Sequence, residues 1–486
     1  MVTRLATTAL AAALLAACSV GPDFVRPDLP ANDTFARADA QVAAHLATTD
    51  TLPDAAGGAF WQGFGDAQLT ALVEDALAAN HDLRIALARY DRANALLRGA
   101  KFDYIPTITA SAEASESRAS ADQAPGVARG DRDGDGYSAG IAAAWELDLF
   151  GRVRRGVEAG RAEALAGFAD LQAAQVAIAG EVARTYLELR GAQERLRVAR
   201  DNAGNQRETM QLVQARFDAG RDSEFDTARA RAQLEATSAR IPALEAQVAF
   251  AMHRLAVLTG RTPDALVAAL GEAAPLPSLP AVIDPGTPGE LLRRRPDVAA
   301  AEARLHASTA RIGVATADLF PRFTLGGLIG SQAIDSDMLF ERDSETRFIA
   351  LGVDWSFLDI GRVRARIAAA DADAAGELAR YQQAVLLALE DTENALVRLD
   401  RARAEDAHLE RAARDSARAA ELARTRFEAG ATGLLEVLDA ERTRLQAEDA
   451  FADGRTRSAI GAVALYRALA GGWPQSLPLR ASVGRR

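Results

Sequence analysis

The sequence predicts a mainly α-helical chain with two pairs of β-strands, built as two duplicated halves. Two proline-free spans of about 67 residues keep apolar side chains at helical spacing. Two pairs of segments, each about ten residues long, alternate apolar and polar side chains as strands do. The second half repeats landmarks of the first at one constant offset. Each half therefore has the order short helix, strand, loop, strand, very long helix, turn and short helix.

The first residues predict an export signal and a lipid anchor. Residues 1–17 combine the basic Arg4 with an apolar run that is too short to span a membrane. The segment Leu15-Ala16-Ala17-Cys18 resembles the bacterial lipobox, whose cysteine becomes the lipidated first residue of the mature protein. We expect Cys18 to carry a diacylglyceryl group and an N-acyl chain. Ser19 follows where an aspartate would oppose outer-membrane sorting, so the outer membrane is favoured.

Composition and motifs argue against nucleic-acid binding and catalysis. The net charge is −11, whereas a nucleic-acid footprint is basic. The segment Asp131–Gly136 opens like a calcium loop, but Ala142 stands where glutamate is required, so we interpret it as a hairpin loop. The histidines are scattered without metal-ligand spacing: His45, His81, His253, His306 and His408. We expect no enzyme, no metal site and no cofactor beyond the lipid on Cys18.

The two longest helices are predicted at Gly151–Phe217 and Gly361–Phe427. At 1.5 Å per residue such a helix is roughly 100 Å long, which suits a coiled coil or a helical barrel. Shorter helices are predicted with the following bounds: Leu69–Gly99, Glu224–Leu258, Glu290–Ala317 and Leu434–Leu469. Pro242 is expected to kink the helix that contains it.

Four strands are predicted, two in each half. Tyr137–Leu149 and Arg347–Phe357 alternate cleanly, and Tyr104–Ser115 and Leu319–Ser331 alternate more weakly. This pattern suits a membrane β-barrel strand or a half-buried soluble strand, and composition alone does not choose. Four strands cannot enclose an interior, since about eight are the small limit. If the strands form a barrel, several chains must contribute to it.

The duplication has a constant offset. Trp145–Arg154 matches Trp355–Arg364, and 355 − 145 is 210. Arg216–Gly220 matches Arg426–Gly430, and 430 − 220 is again 210, so the long helices have equal length. The predicted organisation is a signal peptide at 1–17, a lipidated extension at 18–64, a first repeat at 65–275, a second repeat at 276–473 and a tail at 474–486.

Five stretches together resemble one known family: Cys18–Phe24, Trp145–Arg154, Arg216–Asp226, Arg293–Glu302 and Arg426–Arg442. Their order and spacing are similar to those of the outer-membrane factors, the TolC-like and NodT-type lipoproteins of tripartite efflux pumps, over nearly the whole chain. The resemblance implies a homotrimer with a 12-stranded outer-membrane β-barrel and a periplasmic α-helical barrel. It implies a passive exit duct for drugs or other small compounds, lipid-anchored in the outer membrane and extending into the periplasm.

The resemblance also implies partners and sites. The partners are a periplasmic membrane-fusion adaptor and an inner-membrane transporter of the resistance-nodulation-division type. The adaptor-docking tips comprise Arg216, Phe217, Gly220, Asp226, Phe427, Gly430 and Gly433. Leu435 and Asp439 match the family's constriction, and Arg426 could latch it through ion pairs. Trp145 and Trp355 suit the membrane interface.

The same residues also allow simpler structural roles. The tips could be ordinary hairpin turns, Asp439 a solvated surface acid, and the tryptophans plain packing residues. An exit duct for type I secretion or metal export would share the same architecture. A structural coiled-coil lipoprotein explains the long helices but not the duplicated strand pairs, and a secreted or periplasmic enzyme explains neither.

Overall fold

The computed structural model describes residues 19–28, 33–36, 59–279 and 283–470. The predicted signal peptide, the lipidated Cys18 and the tail at 474–486 lie outside the described residues. The helices are α1 Ala67–Ala79, α2 His81–Phe102, α3 Arg152–Asp218, α4 Glu224–Ser238, α5 Arg240–Leu258, α6 Val267–Leu270, α7 Pro288–Arg294, α8 Pro296–Ala317, α9 Ile360–Glu428 and α10 Leu434–Ala468. The strands are β1 Thr107–Arg118, β2 Asp133–Leu147, β3 Arg322–Ala333 and β4 Glu345–Asp354.

The two long helices match the prediction to within one residue at each end. Helix α3 has 67 residues and α9 has 69, and each is unbroken. Asp148 fixes the start of α3, since its carboxylate accepts hydrogen bonds from the backbone N–H groups of Val153 at 3.0 Å and Arg154 at 2.9 Å. The helix continues without a break because its interior contains no proline, which would interrupt the backbone hydrogen bonds.

The shorter helices are more divided than the sequence predicts. The Leu69–Gly99 prediction is interrupted at Asn80, whose side-chain oxygen accepts from the backbone of Asp82 at 2.8 Å and begins α2. The break expected near Pro242 is confirmed at Ala239, so the proline occupies the first turn of α5, where its missing N–H is harmless. Pro296 likewise divides the Glu290–Ala317 prediction into α7 and α8.

The four strands form one antiparallel sheet in the order β1-β2-β3-β4. Opposite residues share a face, as Ile141 does with Ile329 and Leu325 with Leu351. The exposed apolar side chains on that face are Ile108, Ile141, Leu325, Ile329, Ile349, Leu351 and Val353. The other face carries mostly small or polar residues, among them Thr109, Ser138, Gly140, Thr324 and Gly326. Along the described chain, β1 and β4 each have one unpaired edge.

The loop between β1 and β2 is shorter than the gap between the predicted strands Tyr104–Ser115 and Tyr137–Leu149. Strand β1 continues to Arg118 and β2 starts at Asp133, and these two residues are register partners joined by an ion pair. Asp133, the central acid of the calcium-like segment, is therefore engaged by an arginine of the same hairpin. The sequence missed this because the small and charged residues at the strand ends carry no apolar alternation.

The chain divides into two compact units that cut across the repeats. One contains the sheet, the described residues up to Asp28, and residues 89–168 and 300–382. In it, the buried Arg155 of α3 donates to the carboxylates of Asp23 at 2.6 Å and Glu158 at 2.8 Å, and Phe24 stacks on His306 with ring centres 4.5 Å apart. These contacts fasten the segment that follows the predicted anchor to α3 and α8.

The other unit contains the described residues within 33–88, 169–299 and 383–470. Its core packs Tyr186 and Leu187 of α3 among apolar residues of α1, α5 and α10. The Tyr186 hydroxyl donates to Asp66 at 2.7 Å, and Asp66 also accepts from the backbone of Leu69 at the start of α1. Burial raises the pKa of Tyr186 to about 12. One buried hydroxyl thus connects α3 to the cap of α1.

Candidate functional site

Two tight turns reverse the chain after the long helices. The first turn, residues 219–223, joins α3 to α4, and the second turn, residues 429–433, joins α9 to α10. Gly220 and Gly430 adopt φ of 64° and 73°, the left-handed region. In each turn the next N–H reaches back to the arginine carbonyl: Arg221 to Arg216 and Ala431 to Arg426, both at 2.8 Å. Both turns are therefore Schellman-type helix ends, which explains the duplicated Arg-Phe-x-x-Gly pattern.

Alanine at the two left-handed glycines should cost about 1–2 kcal/mol each, because a Cβ atom strains this conformation. Nothing packs within 4 Å of a Cβ built on Gly220 or Gly430, so the penalty is one of backbone conformation alone. Gly433 has φ of −84°, and Gly433→Ala is the matched control in the same turn. Thermal unfolding of the purified protein measures all three. Equal melting temperatures for Gly430→Ala and Gly433→Ala would contradict the assignment.

The two turns start their following helices differently. Ser223 and Asp226 form a capping box, in which each side chain bonds the other residue's backbone N–H. The Ser223 hydroxyl and backbone N–H lower the pKa of Asp226. At the second turn Gly433 occupies the cap position without a side-chain bond. Asp226, predicted as a docking residue, is thus engaged within its own turn, and the start of α10 has weaker local capping than that of α4.

The duplicated phenylalanines are placed in opposite ways. Phe427 is 3% exposed and packs with Val213 of α3, Leu434 and Leu438. Phe217, its equivalent in the first repeat, is 38% exposed. The Arg216 guanidinium lies 4.7 Å from the centre of the Phe427 ring and pairs with Asp222 at 2.9 Å. Of the predicted tip residues, Phe427 is therefore a core residue of the turn and Phe217 a surface residue.

The predicted constriction residues lie on one open face of α10. Leu435 is 54% exposed and the side chain of Asp439 is 59% exposed, as their separation of four residues predicts. Asp439 pairs with Arg442, which was not among the predicted site residues. Arg426 makes no ion pair among the residues that the structure describes, and its role as a latch stays a prediction. The i, i+3 spacing of Asp439 and Arg442 is the signal that could have found this pair.

The corresponding face of the first repeat carries different chemistry. At the 210-residue offset, Phe225 stands for Leu435 and Arg229 for Asp439. Phe225 is 68% exposed, and the Arg229 guanidinium lies 5.7 Å from the centre of its ring. The two repeats are thus alike in backbone but opposite in charge at this level. An acidic ring at this level can therefore arise from α10 and not from α4.

The two tryptophans occupy equivalent positions near the sheet. The Trp145 indole N–H donates to the Tyr104 carbonyl, and that of Trp355 donates to the Leu319 carbonyl, each at 3.1 Å. Both acceptors begin the aromatic-or-apolar-x-Pro segments that precede β1 and β3. Each tryptophan therefore braces the turn that leads from a helix into a strand, which is a packing role beside the predicted interfacial one.

Among the described residues, no three potential metal ligands come together. The arrangement offers instead two helix ends with exposed Phe217 and Phe225, an acidic-apolar face on α10, and an apolar sheet face. Each of these is a surface that the single chain leaves exposed.

A sequence profile of the family described as outer membrane efflux protein matches residues 72–261 and 287–471, one stretch in each half. The outer membrane protein OprJ of Pseudomonas aeruginosa is 35% identical over 98% of both chains. Nodulation protein T of Rhizobium leguminosarum is 30% identical over 90% of this chain and 91% of its own length. The solved structure of the outer-membrane channel OprN superposes with a TM-score of 0.86 at 41% identity, covering 94% of this chain and 100% of that one.

Proposed function

The chain belongs to the outer membrane efflux protein family and is an outer-membrane exit channel for efflux, and from this premise we propose that three copies form the duct. The predicted TolC-like fold is confirmed by the match to solved channels. The observation that carries the proposal is the open four-stranded sheet, with one apolar face and an unpaired edge on either side. Three such sheets give twelve strands, enough to close a barrel with a lumen.

Closure pairs β4 of one chain with β1 of the next and removes both free edges. The apolar face then lies against lipid, as a membrane barrel requires, and the face with small residues lines the passage. The indole groups of Trp145 and Trp355 lie near the ends of the membrane strands and suit the water–lipid boundary. A lipid on Cys18 anchors the same assembly to the outer membrane.

The duct itself supplies no energy, so it needs a pump. We assign this role to an inner-membrane transporter of the resistance-nodulation-division type, linked through a periplasmic adaptor. The adaptor docks on the first and second turns. At the first turn Phe217 and Phe225 expose apolar surface, and the Arg229 guanidinium lies 5.7 Å from the centre of the Phe225 ring. The cargo is drugs or other small compounds, which the duct conducts without a catalytic step.

The gate is a ring built by α10. Three copies of Leu435 and Asp439 form an apolar and an acidic ring, and Arg442 neutralises part of the acidic one. The exposed Arg426 of each chain is available to pair with a neighbouring copy. A ring of this kind narrows the lumen and favours cations.

Changing Asp439 to alanine should raise single-channel conductance in planar bilayers several-fold and reduce cation selectivity, because the acidic ring and its pair with Arg442 are lost. Asp415→Ala, at an exposed acid of α9 away from both turns, is the control and should conduct like the wild type. Purified detergent-extracted trimers serve for both. A pore unchanged by Asp439→Ala would remove these residues from the gate, and a folded monomer without any pore would overturn the trimeric duct.

A further inference from the structure

The gate helix α10 packs on α3 through a polar seam, which comprises the buried Asn202, Gln206 and Thr209 of α3 with the buried Glu441 and the partly exposed Glu448 of α10. The three α3 residues share a helix face, since they are four and three positions apart, and none is more than 4% exposed. Asn202 donates to Glu448 and Thr209 to Glu441, each at 2.8 Å. The apolar cluster around Phe427 lies beyond the seam, and Asp439 is only two residues from Glu441.

The seam is incompletely satisfied. Glu441 is 7% exposed, and its Oε2 atom has no hydrogen-bond partner among the described residues. Both amide atoms of Gln206, which lies between the two bonded positions on α3, also lack partners there. Buried polar atoms without partners cost free energy, and a buried charge costs more. The packed state therefore holds Glu441 poorly as a carboxylate.

The nearby cations compensate that charge only in part: they lower the pKa of Glu441, but less than burial raises it. Arg424 of α9 and Arg444 of α10 are the charged groups facing Glu441. Arg424 pairs with Glu208 at 3.1 Å and Glu428 at 3.2 Å, and Arg444 pairs with Glu448 at 2.7 Å. Both arginines are thus already neutralised by other carboxylates. Burial raises the pKa of Glu441, and the Thr209 hydrogen bond opposes that rise.

We propose that Glu441 is a protonation-dependent positioning residue of the gate: the neutral acid keeps α10 packed on α3, and its ionisation releases the start of α10 and widens the ring of Leu435 and Asp439. This inference rests on the proposed exit duct. Protonation of Glu441 removes a buried charge. It also adds a hydrogen-bond donor to the seam, where the Gln206 amide oxygen has no donor among the described residues. An ionised Glu441 gains water only when α10 moves away from α3.

The direction of the pH effect follows from the raised pKa. The packed state binds the proton more tightly than a released, solvated Glu441 does. Packing is therefore fully favoured below the ordinary carboxyl pKa and is progressively lost as the pH rises through the raised value. One proton per chain changes the ratio of open to packed states by at most about tenfold per pH unit.

The test is bilayer conductance of the full mature protein, in wild-type and Glu441→Gln forms, from pH 4 to pH 8 in about half-unit steps. The wild-type open probability should rise with pH, and Glu441→Gln should stay low throughout. The two proteins differ only at residue 441, so the ratio of the two curves isolates the contribution of Glu441. Glu235→Gln, at an exposed acid of α4, should follow the wild type.

A second variant tests position as well as charge. Thr209→Val keeps the side-chain shape but removes the hydrogen bond that opposes the pKa rise, so the midpoint should move to higher pH. A merely structural role for Thr209 would leave the midpoint unchanged. If the open probability depends on pH in the same way in the wild type and in Glu441→Gln, the inference is overturned and the proposed duct still holds. If Glu441→Gln does not assemble, a Thr209→Val protein whose pH midpoint of opening equals that of the wild type overturns the inference. A wild-type protein that forms no pore at any pH overturns the duct itself.

Discussion

Replacing Phe427 by alanine should destabilise the second turn by about 3–5 kcal/mol, whereas Phe217→Ala in the first turn should cost less than about 1 kcal/mol. The two residues have the same sequence context, Arg-Phe-x-x-Gly, and differ in burial, 3% against 38%. Removing the Phe427 ring leaves a cavity among Val213, Leu434 and Leu438. It also removes the aromatic surface under the Arg216 guanidinium.

The loss should be local, because the Phe427 cluster is separate from the main core of its unit. Hydrogen exchange followed by mass spectrometry should show faster exchange in peptides that cover residues 425–440 of Phe427→Ala, with little change in α1 or α5. Phe217→Ala should exchange like the wild type. If the two variants were equally protected from hydrogen exchange, burial within one chain would not predict the stability of the turns. Coverage of Phe217 by a neighbouring copy of the chain would give that result.

The extents of the long helices and the positions of the turns were predictable because they depend on residues close in sequence. The extent of α3 and α9 follows from helical periodicity without proline, and the turns from glycine at a fixed place. The constant offset of 210 residues implies the same order of elements in both halves. The strand pairs were found from alternation, although their polar ends at Arg118 and Asp133 were not.

What escaped prediction depends on partners distant in sequence. Asn80 ends one helix and its side-chain oxygen caps the next, and its side-chain amide donates to the carbonyl of Leu258, a partner that the sequence does not reveal. Glu441 was unremarkable in a charged helix, and only the packing of α10 on α3 makes it a buried acid. The ion pair of Asp439 with Arg442 was not predicted, although both residues lie on the same helix three positions apart.

Arg295 shows the same dependence on distant partners in a segment that the sequence did mark, Arg293-Arg-Arg-Pro-Asp. Its guanidinium pairs with Asp297 at 2.6 Å and Asp391 of α9 at 3.3 Å. The same group donates to the carbonyl of Ala468, the last residue of α10, at 3.1 Å. One buried side chain therefore joins the start of α8, the middle of α9 and the end of α10.

Replacing Arg295 by methionine should destabilise the protein by about 2–4 kcal/mol. This loss of stability is smaller than the loss expected for a fully buried ion pair, because Asp297 and Asp391 are partly solvated. Burial tends to raise the pKa of Asp297, but the hydrogen bond and charge of Arg295, together with backbone hydrogen bonds, outweigh it and leave that pKa lowered. The stability from this pair is thus present above the ordinary carboxyl pKa and declines as the pH falls through the lowered value.

Thermal unfolding in detergent from about pH 3 to pH 7 measures both parts of this prediction. Arg295→Met should lower the melting temperature at neutral pH and flatten the acid-side decline. Arg295→Lys should fall between the two, because lysine keeps the charge but lacks the fork of donors that reaches a carboxylate and a carbonyl together. Arg293→Ala, an exposed neighbour in the same segment, should leave the curve unchanged. If Arg293→Ala and Arg295→Met behaved alike, the segment would act by its overall charge, and the junction at the end of α10 would not depend on Arg295.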